Sequence, residues 1–206
     1  MLTVENGRIT FGEETLFSQL NLKVDLGEMC CVTGASGRGK SSLLHAVLGF
    51  VSLAEGRVVV DGIEQSRETI DAIRQKIAWL PQELHLPNEW VKEMIALTFT
   101  LKANRSASFT TERLLENFDR LGLEEELYER RVNEISGGQR QRIMLAAMAL
   151  LHKPLLLIDE PTSALDAESA ALVLHFLQEE VAKGAAALVV SHDPLFAKGC
   201  DQELIL

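Results

Sequence analysis

Cysteine, tyrosine and tryptophan are scarce in this chain, cations are outnumbered, and no apolar run is long and unbroken. The three cysteines are Cys30, Cys31 and Cys200. So sparse and odd a set argues against a disulfide framework and for a reducing compartment. Cys30 and Cys31, adjacent in an apolar run, should point to opposite faces of a strand and serve as small core hydrophobes. The longest apolar stretches are 43–54 and 143–158. The first is too short to span a bilayer, and His152-Lys153-Pro154 interrupts the second. No basic segment opens the chain at Met1-Leu2-Thr3-Val4-Glu5, so neither a signal peptide nor a membrane span is expected. Twenty Lys and Arg face 30 Asp and Glu, a net charge of −10, which argues against a nucleic-acid partner. The short basic runs, Arg130-Arg131 and Arg140-Gln141-Arg142, read as a solvated face or a local phosphate-facing patch. There is no internal repeat and no low-complexity segment. With 206 residues, 47% hydrophobic and 24% charged, the composition is that of one globular domain with room for an inserted subdomain.

What the chain does have is Gly34-Ala35-Ser36-Gly37-Arg38-Gly39-Lys40-Ser41, followed by Ser42. It follows the apolar run Met29 to Thr33 and opens onto a helical pattern with Leu43, Leu44, Val47 and Leu48 on one face. This is G-x-x-x-x-G-K-[ST] in its strand–loop–helix context. Glycines let backbone N–H groups converge on a polyphosphate, and the helix adds its positive dipole end. Lys40 should reach the β- and γ-phosphates, and the Ser41 hydroxyl should sit on Mg²⁺.

Around this loop the patterning alternates between strand and helix. Residues 2–26 read as strands with one solvated face, with Asn6-Gly7 a candidate hairpin turn. Glu55-Gly56 breaks the chain before a strand at 57–60 that an Asp61-Gly62 turn closes. A helix at 70–76 and a strand at 77–80 follow. From Glu83 to about Glu134 strand patterns vanish. Helical spacing appears at 91–101 and at 111–121, where Leu114, Leu115, Phe118 and Leu121 share a face. This reads as a helical subdomain, 83–135, inserted into an α/β core made of 1–82 and 136–206. A helix runs from Ser136 to about Leu151, and Leu155 to Ile158 is a strand buried on both faces. A helix from Ala167 to Ala182, a strand at 186–190, a short helix and a last strand at 203–206 complete the chain.

Asp159 and Glu160 end the buried strand, where ligands bind in open α/β sheets. One carboxylate could hold Mg²⁺ and the other could polarise a water, or both could simply decorate a helix N-terminus. His192, also at a strand end, could touch a γ-phosphate or be structural. Gln82, after Pro81, could reach the metal or the attacking water, or be a solvated loop residue. Ser136-Gly137-Gly138-Gln139 fits both a capping box and an anion site. Sequence alone does not choose.

Together and in order, these residues resemble the ATP-binding subunit of ABC transporters over essentially the whole chain. Gly34 to Ser42 looks like the family's Walker A motif and Gln82 like its Q-loop. Ile135 to Gln139 looks like the signature, Leu155 to Glu160 like Walker B, Ser163 to Asp166 like the D-loop, and His192 like the H-loop. The resemblance implies an α/β P-loop NTPase (RecA-like) core with an N-terminal antiparallel β subdomain and the inserted helical subdomain. It implies a Mg²⁺-dependent ATPase, dimerising head to tail with a second copy or a similar subunit, cytoplasmic and peripheral on the inner face of the cell membrane. Phe11 would stack on adenine. Ser136, Gly138 and Gln139 would contact ATP across the dimer. Glu160 would be the general base, Asp159 and Gln82 would hold Mg²⁺, and His192 would touch the γ-phosphate. Membrane-spanning permease chains would dock beside Gln82, near Pro87 to Val91. A soluble ATPase of an assembly complex and a nucleotide-gated signalling module are the alternatives. Four positions depart from the family pattern: Ile135 for leucine, Phe11 for tyrosine, Ala147 for arginine, and Arg38 for a small residue.

Overall fold

The computed structural model describes residues 1–83, 89–105 and 107–206. Pro87 therefore lies outside the described residues, as does Ser106. In chain order the strands are β1 (Leu2–Phe11), β2 (Glu14–Val24), β3 (Met29–Thr33), β4 (Glu55–Val60), β5 (Ile63–Glu64), β6 (Ile77–Leu80), β7 (Leu155–Asp159), β8 (Ala186–Val190) and β9 (Gln202–Ile205). The α-helices are α1 (Lys40–Val47), α2 (Ile70–Arg74), α3 (Val91–Thr100), α4 (Thr111–Arg120), α5 (Gly137–Ala149), α6 (Ala167–Ala182) and α7 (Pro194–Gly199).

Among the described residues the strands form two sheets. One is antiparallel, in the order β2-β1-β4-β5. The other is parallel, in the order β6-β7-β8-β3-β9. The parallel sheet separates two cores. Cys31, Ala78, Leu80, Leu156, Ile158 and Val189 face α3–α6, while Cys30, Val32, Leu155, Leu157 and Leu188 face α1 and the antiparallel sheet. Both sides being dry explains why these strands are near-continuous apolar runs. Cys30 and Cys31 fall on opposite sides, as period two requires. Burial pushes the Cys30 thiol up to about 12, so it acts as an inert hydrophobe.

Helices 91–100 and 111–120 share a core with α5 and the parallel sheet rather than building one of their own. Leu114, Phe118 and Leu121 are fully buried there. A short bridge between Trp90 and Arg131 joins the two ends of the segment, with Val91 N–H donating to Arg130 O and Val132 N–H to Glu89 O.

Three expectations change. Asn6-Gly7 is not a hairpin turn: β1 runs through it with a bulge, and Asn6 takes a positive φ of 50°. The β1–β2 turn falls at Gly12-Glu13. Glu55-Gly56 does not interrupt the chain but belongs to β4, with Glu55 paired to Arg8 across from the bulge. The arginines of 130–142 are only in part the expected solvated face: Arg130 and Arg131 are exposed, while Arg140 and Arg142 are half-buried. Arg140 donates to Val132 O, Arg142 donates to Leu121 O and Gly122 O, and Arg131 pairs with Glu89 while stacking on Trp90. Arg140 and Arg142 thus hold backbone carbonyls of the inserted helical segment.

Candidate functional site

Because β3, β6, β7 and β8 are parallel, their C-terminal ends meet at one edge of the sheet. β3 leads into the 34–39 loop, β6 into Gln82, β7 into Glu160 and β8 into His192. A cleft of about 520 Å³ opens there, lined by Ser36, Gly37, Gly39, Lys40, Ser41, Ser42, Gln82, Glu160 and His192. The loop is built on Gly34, Gly37 and Gly39, with φ of 131°, 81° and 91°. Side-chain-bearing residues avoid this region, so the glycines let the loop wrap tightly and aim its N–H groups inward.

Lys40 is buried, and its Nζ donates to Gly34 O at 2.9 Å and Ala35 O at 3.0 Å. The ammonium is thus held over the loop. Ser41 Oγ donates to Asp159 Oδ1 at 3.2 Å. This hydroxyl–carboxylate pair, with the Gln82 amide on the cleft wall, is an all-oxygen donor set suited to a hard cation such as Mg²⁺. Among the described residues no group of three His, Cys, Asp or Glu could hold a metal alone. The protein offers part of a coordination sphere, which suits an ion that arrives with phosphate oxygens.

Glu160 is 8% exposed and takes a left-handed φ of 49°. For a residue with a side chain this costs on the order of 1–3 kcal/mol and persists only where the surroundings enforce it. Here they do. Glu160 N–H donates to Val190 O, Gln141 Nε2 donates to Glu160 O at 2.8 Å, and His192 N–H donates to Glu160 Oε2 at 3.3 Å. His192 Nε2 lies 3.2 Å from Glu160 Oε1. Burial raises the Glu160 carboxyl above its ordinary value, and His192 only partly offsets this. Burial raises Asp159 too, against the hydrogen bond from Ser41.

Several expected residues stay off the cleft wall. Phe11, at the end of β1, is 53% exposed. Arg38 is exposed and does not line the cleft, although its neighbours on both sides do. Ser136, Gly137, Gly138 and Gln139 also lie away from it. Ser136 Oγ accepts from Gln139 N–H at 3.0 Å while Gln139 Oε1 accepts from Ser136 N–H at 2.9 Å, which makes the capping box. Gly138 fits because a Cβ would meet Ala164 O at 2.7 Å and Leu165 Cδ2 at 2.6 Å. Leu16, Thr162, Ser163 and Asp193 also line the cleft. Ser163 was legible only as part of the D-loop match, and nothing in the sequence marks Leu16.

A parallel sheet whose strand ends present a glycine-rich loop, a buried lysine and a Ser–Asp pair defines a P-loop nucleoside triphosphatase. Residues 17–163 match the ABC transporter family. The chain is 31% identical over 201 residues to the glutamine transport ATP-binding protein GlnQ of Bacillus subtilis, covering 96% of this chain and 83% of that one. It is 34% identical over 178 residues to the ATP-dependent lipid A-core flippase of Escherichia coli K12, covering 84% of this chain but 30% of the flippase. Among solved structures it superposes on the dimeric cassette MJ0796, a bacterial ABC transporter cassette, with a TM-score of 0.85 at 27% identity, covering 100% of this chain and 94% of that one. A post-hydrolysis dimer of MJ0796 bound to ADP and Pi gives 0.83, also at 27% identity. The chain belongs to the ABC transporter family, as its nucleotide-binding domain, and is an ATPase.

Proposed function

We propose that the chain binds Mg²⁺-ATP in the cleft, hydrolyses it as half of a head-to-tail dimer, and so drives a membrane-spanning partner. The observation that carries this reading is the division of the phosphate-handling groups. The 36–42 loop, Gln82, Glu160 and His192 share one cleft, while Ser136 to Gln139 form a helix start elsewhere, with Ser136 and Gly137 exposed. A second copy, turned about a two-fold axis, supplies the missing helix start to each cleft. The N-terminus of α5 then turns its unpaired N–H groups and dipole towards the γ-phosphate.

Within each site the roles follow from position. Lys40 and the loop amides hold the β- and γ-phosphates. Ser41, Asp159 and Gln82 hold the cation. A bound Mg²⁺ neutralises charge on the phosphate oxygens. Glu160, as a buried carboxylate of raised basicity, accepts a proton from the attacking water. His192 steadies Glu160 and borders the γ-phosphate. Phe11 presents an aromatic face to the adenine.

The docking surface is an apolar groove of about 420 Å³ beside Gln82, walled by Phe50, Trp79, Pro81, Met94, Leu97 and Met148. It lies between the 83–135 helical subdomain and the core, and suits an amphipathic helix of a membrane chain. No described helix is long and apolar enough to cross a membrane.

The test compares wild type with Glu160→Gln, following ATP hydrolysis and oligomeric state in Mg²⁺-ATP. The expected result is hydrolysis by wild type only, and a stable ATP-dependent dimer for the variant. Normal hydrolysis by the variant would remove Glu160 from its role.

A further inference from the structure

Gln141 sits one turn into α5, on the same helix that begins with Ser136. It is polar, yet only 4% exposed. Its amide does not face solvent or the cleft: Nε2 donates at 2.8 Å to the main-chain carbonyl of Glu160. That carbonyl belongs to the one cleft residue with both a side chain and a left-handed backbone outside the glycine-rich loop. A second donor, Ser163 N–H, reaches the same oxygen at a longer 3.4 Å. Three residues earlier on α5, Gly138 packs against Ala164 and Leu165 of the loop that follows Glu160. The first turns of α5 therefore grip the 160–165 loop at two points, one polar and one steric.

We infer that Gln141 is a positioning residue that holds Glu160 in its strained backbone conformation and ties hydrolysis in this chain's cleft to the seating of its own signature helix. The inference rests on the proposed reading of Glu160 as general base and of α5 as the element that meets the other copy's nucleotide. When that helix start engages phosphate across the dimer, α5 settles, and Gln141 fixes the Glu160 peptide so that the carboxylate aims at the water. Each chain's base thus reports on the site its own signature completes, which makes the two sites interdependent. A peptide free to rotate would swing the carboxylate by an ångström or more, enough to cost rate without loss of nucleotide binding.

The experiment uses the full chain and compares wild type, Gln141→Met, Gln141→Glu and Glu160→Gln. Methionine keeps length and volume but cannot donate. Glutamic acid donates only when protonated. Steady-state kcat and KM for ATP are measured from about pH 5 to 9, beside thermal midpoints. We expect Gln141→Met to lower kcat about 10- to 100-fold while KM stays within about threefold. We expect the Gln141→Glu rate, divided by the wild-type rate, to climb as pH falls, and the Gln141→Met ratio to stay flat. A merely structural glutamine would move the midpoint without that pH signature. If Gln141→Met fails to fold, the Gln141→Glu profile decides. Both Gln141 variants within about twofold of wild type at every pH, beside an inactive Glu160→Gln, would overturn the inference and leave the base intact. An active Glu160→Gln would instead overturn the underlying reading, and the inference with it.

Discussion

Adding one methyl group at Gly138 tests how the signature helix is seated. A Cβ there would lie 2.7 Å from Ala164 O and 2.6 Å from Leu165 Cδ2. The leucine tip can turn aside, but the Ala164 carbonyl is backbone in a tight loop and cannot. Overpacking of this kind costs about 1–3 kcal/mol. For a chain of this size that is a fall in thermal midpoint of roughly 2–12 °C. Gly137 is the built-in control. A Cβ there meets only Ala164 Cβ, at 3.8 Å, an ordinary contact. Replacing a helical glycine by alanine gains about 0.5–1 kcal/mol from reduced backbone freedom. Gly137→Ala should therefore unfold at or slightly above the wild-type temperature, and Gly138→Ala clearly below it. Thermal denaturation by circular dichroism, without nucleotide, measures both. Equal midpoints for the two variants would refute the steric account of the α5 contact with 163–166.

Removing the Ser41 hydroxyl (Ser41→Ala) should raise the Mg²⁺ concentration for half-maximal ATPase by about tenfold or more, since one oxygen donor is lost. A Mg²⁺ titration at saturating ATP checks this, and an unchanged curve would exclude Ser41 as a ligand. Because burial raises Glu160 and the base works as carboxylate, kcat should fall on acidification at a pH above the ordinary glutamate range. The linked stability effect has the opposite sense. The folded chain binds this proton more tightly than the unfolded one, so the contribution is full below the ordinary value and lost as pH rises through the raised one. Glu160→Gln should thus melt above wild type at neutral pH, with the gap closing in acid; a gap that widens in acid would contradict the sign. Trp79→Glu puts a charge into the apolar groove. It should abolish membrane association, read by co-sedimentation, while ATPase of the isolated chain changes by less than about twofold.

The elements with the strongest periodicity were legible to within a residue or two. α6 matches the predicted 167–182, and β6 and β8 match 77–80 and 186–190. Their apolar pattern, and caps such as Asp166, whose side chain accepts from Ser169 N–H at 2.8 Å, agree with the tertiary context. Asn6-Gly7 misled because it reports a positive φ, which a hairpin turn and a bulge both need. Pairing of β1 with β2 and β4 decided for the bulge. Arg140 and Arg142 could not be placed from charge alone, since their partners are carbonyls at 121, 122 and 132. The cleft was legible as motifs because each motif sits at the end of a parallel strand. The contact between His192 and Glu160 and the donation from Gln141 were not, because they join different elements. Docking beside Gln82 was implied by the resemblance, but the walls of the apolar groove were not legible, being assembled from segments near 50, 79, 97 and 148.

The claim that each cleft is half a site can be tested by mixing two crippled chains. Lys40→Ala spoils the phosphate loop, and Ser136→Glu places a negative charge at the start of α5. Each alone should be nearly inactive. In a head-to-tail dimer, the mixture contains heterodimers in which the intact loop of one chain meets the intact helix start of the other. Mixing in Mg²⁺-ATP should restore ATPase to about a quarter of the wild-type rate, since about half the dimers carry one good site of two. A mixture no more active than its components, with both proteins folded and dimeric, would contradict it.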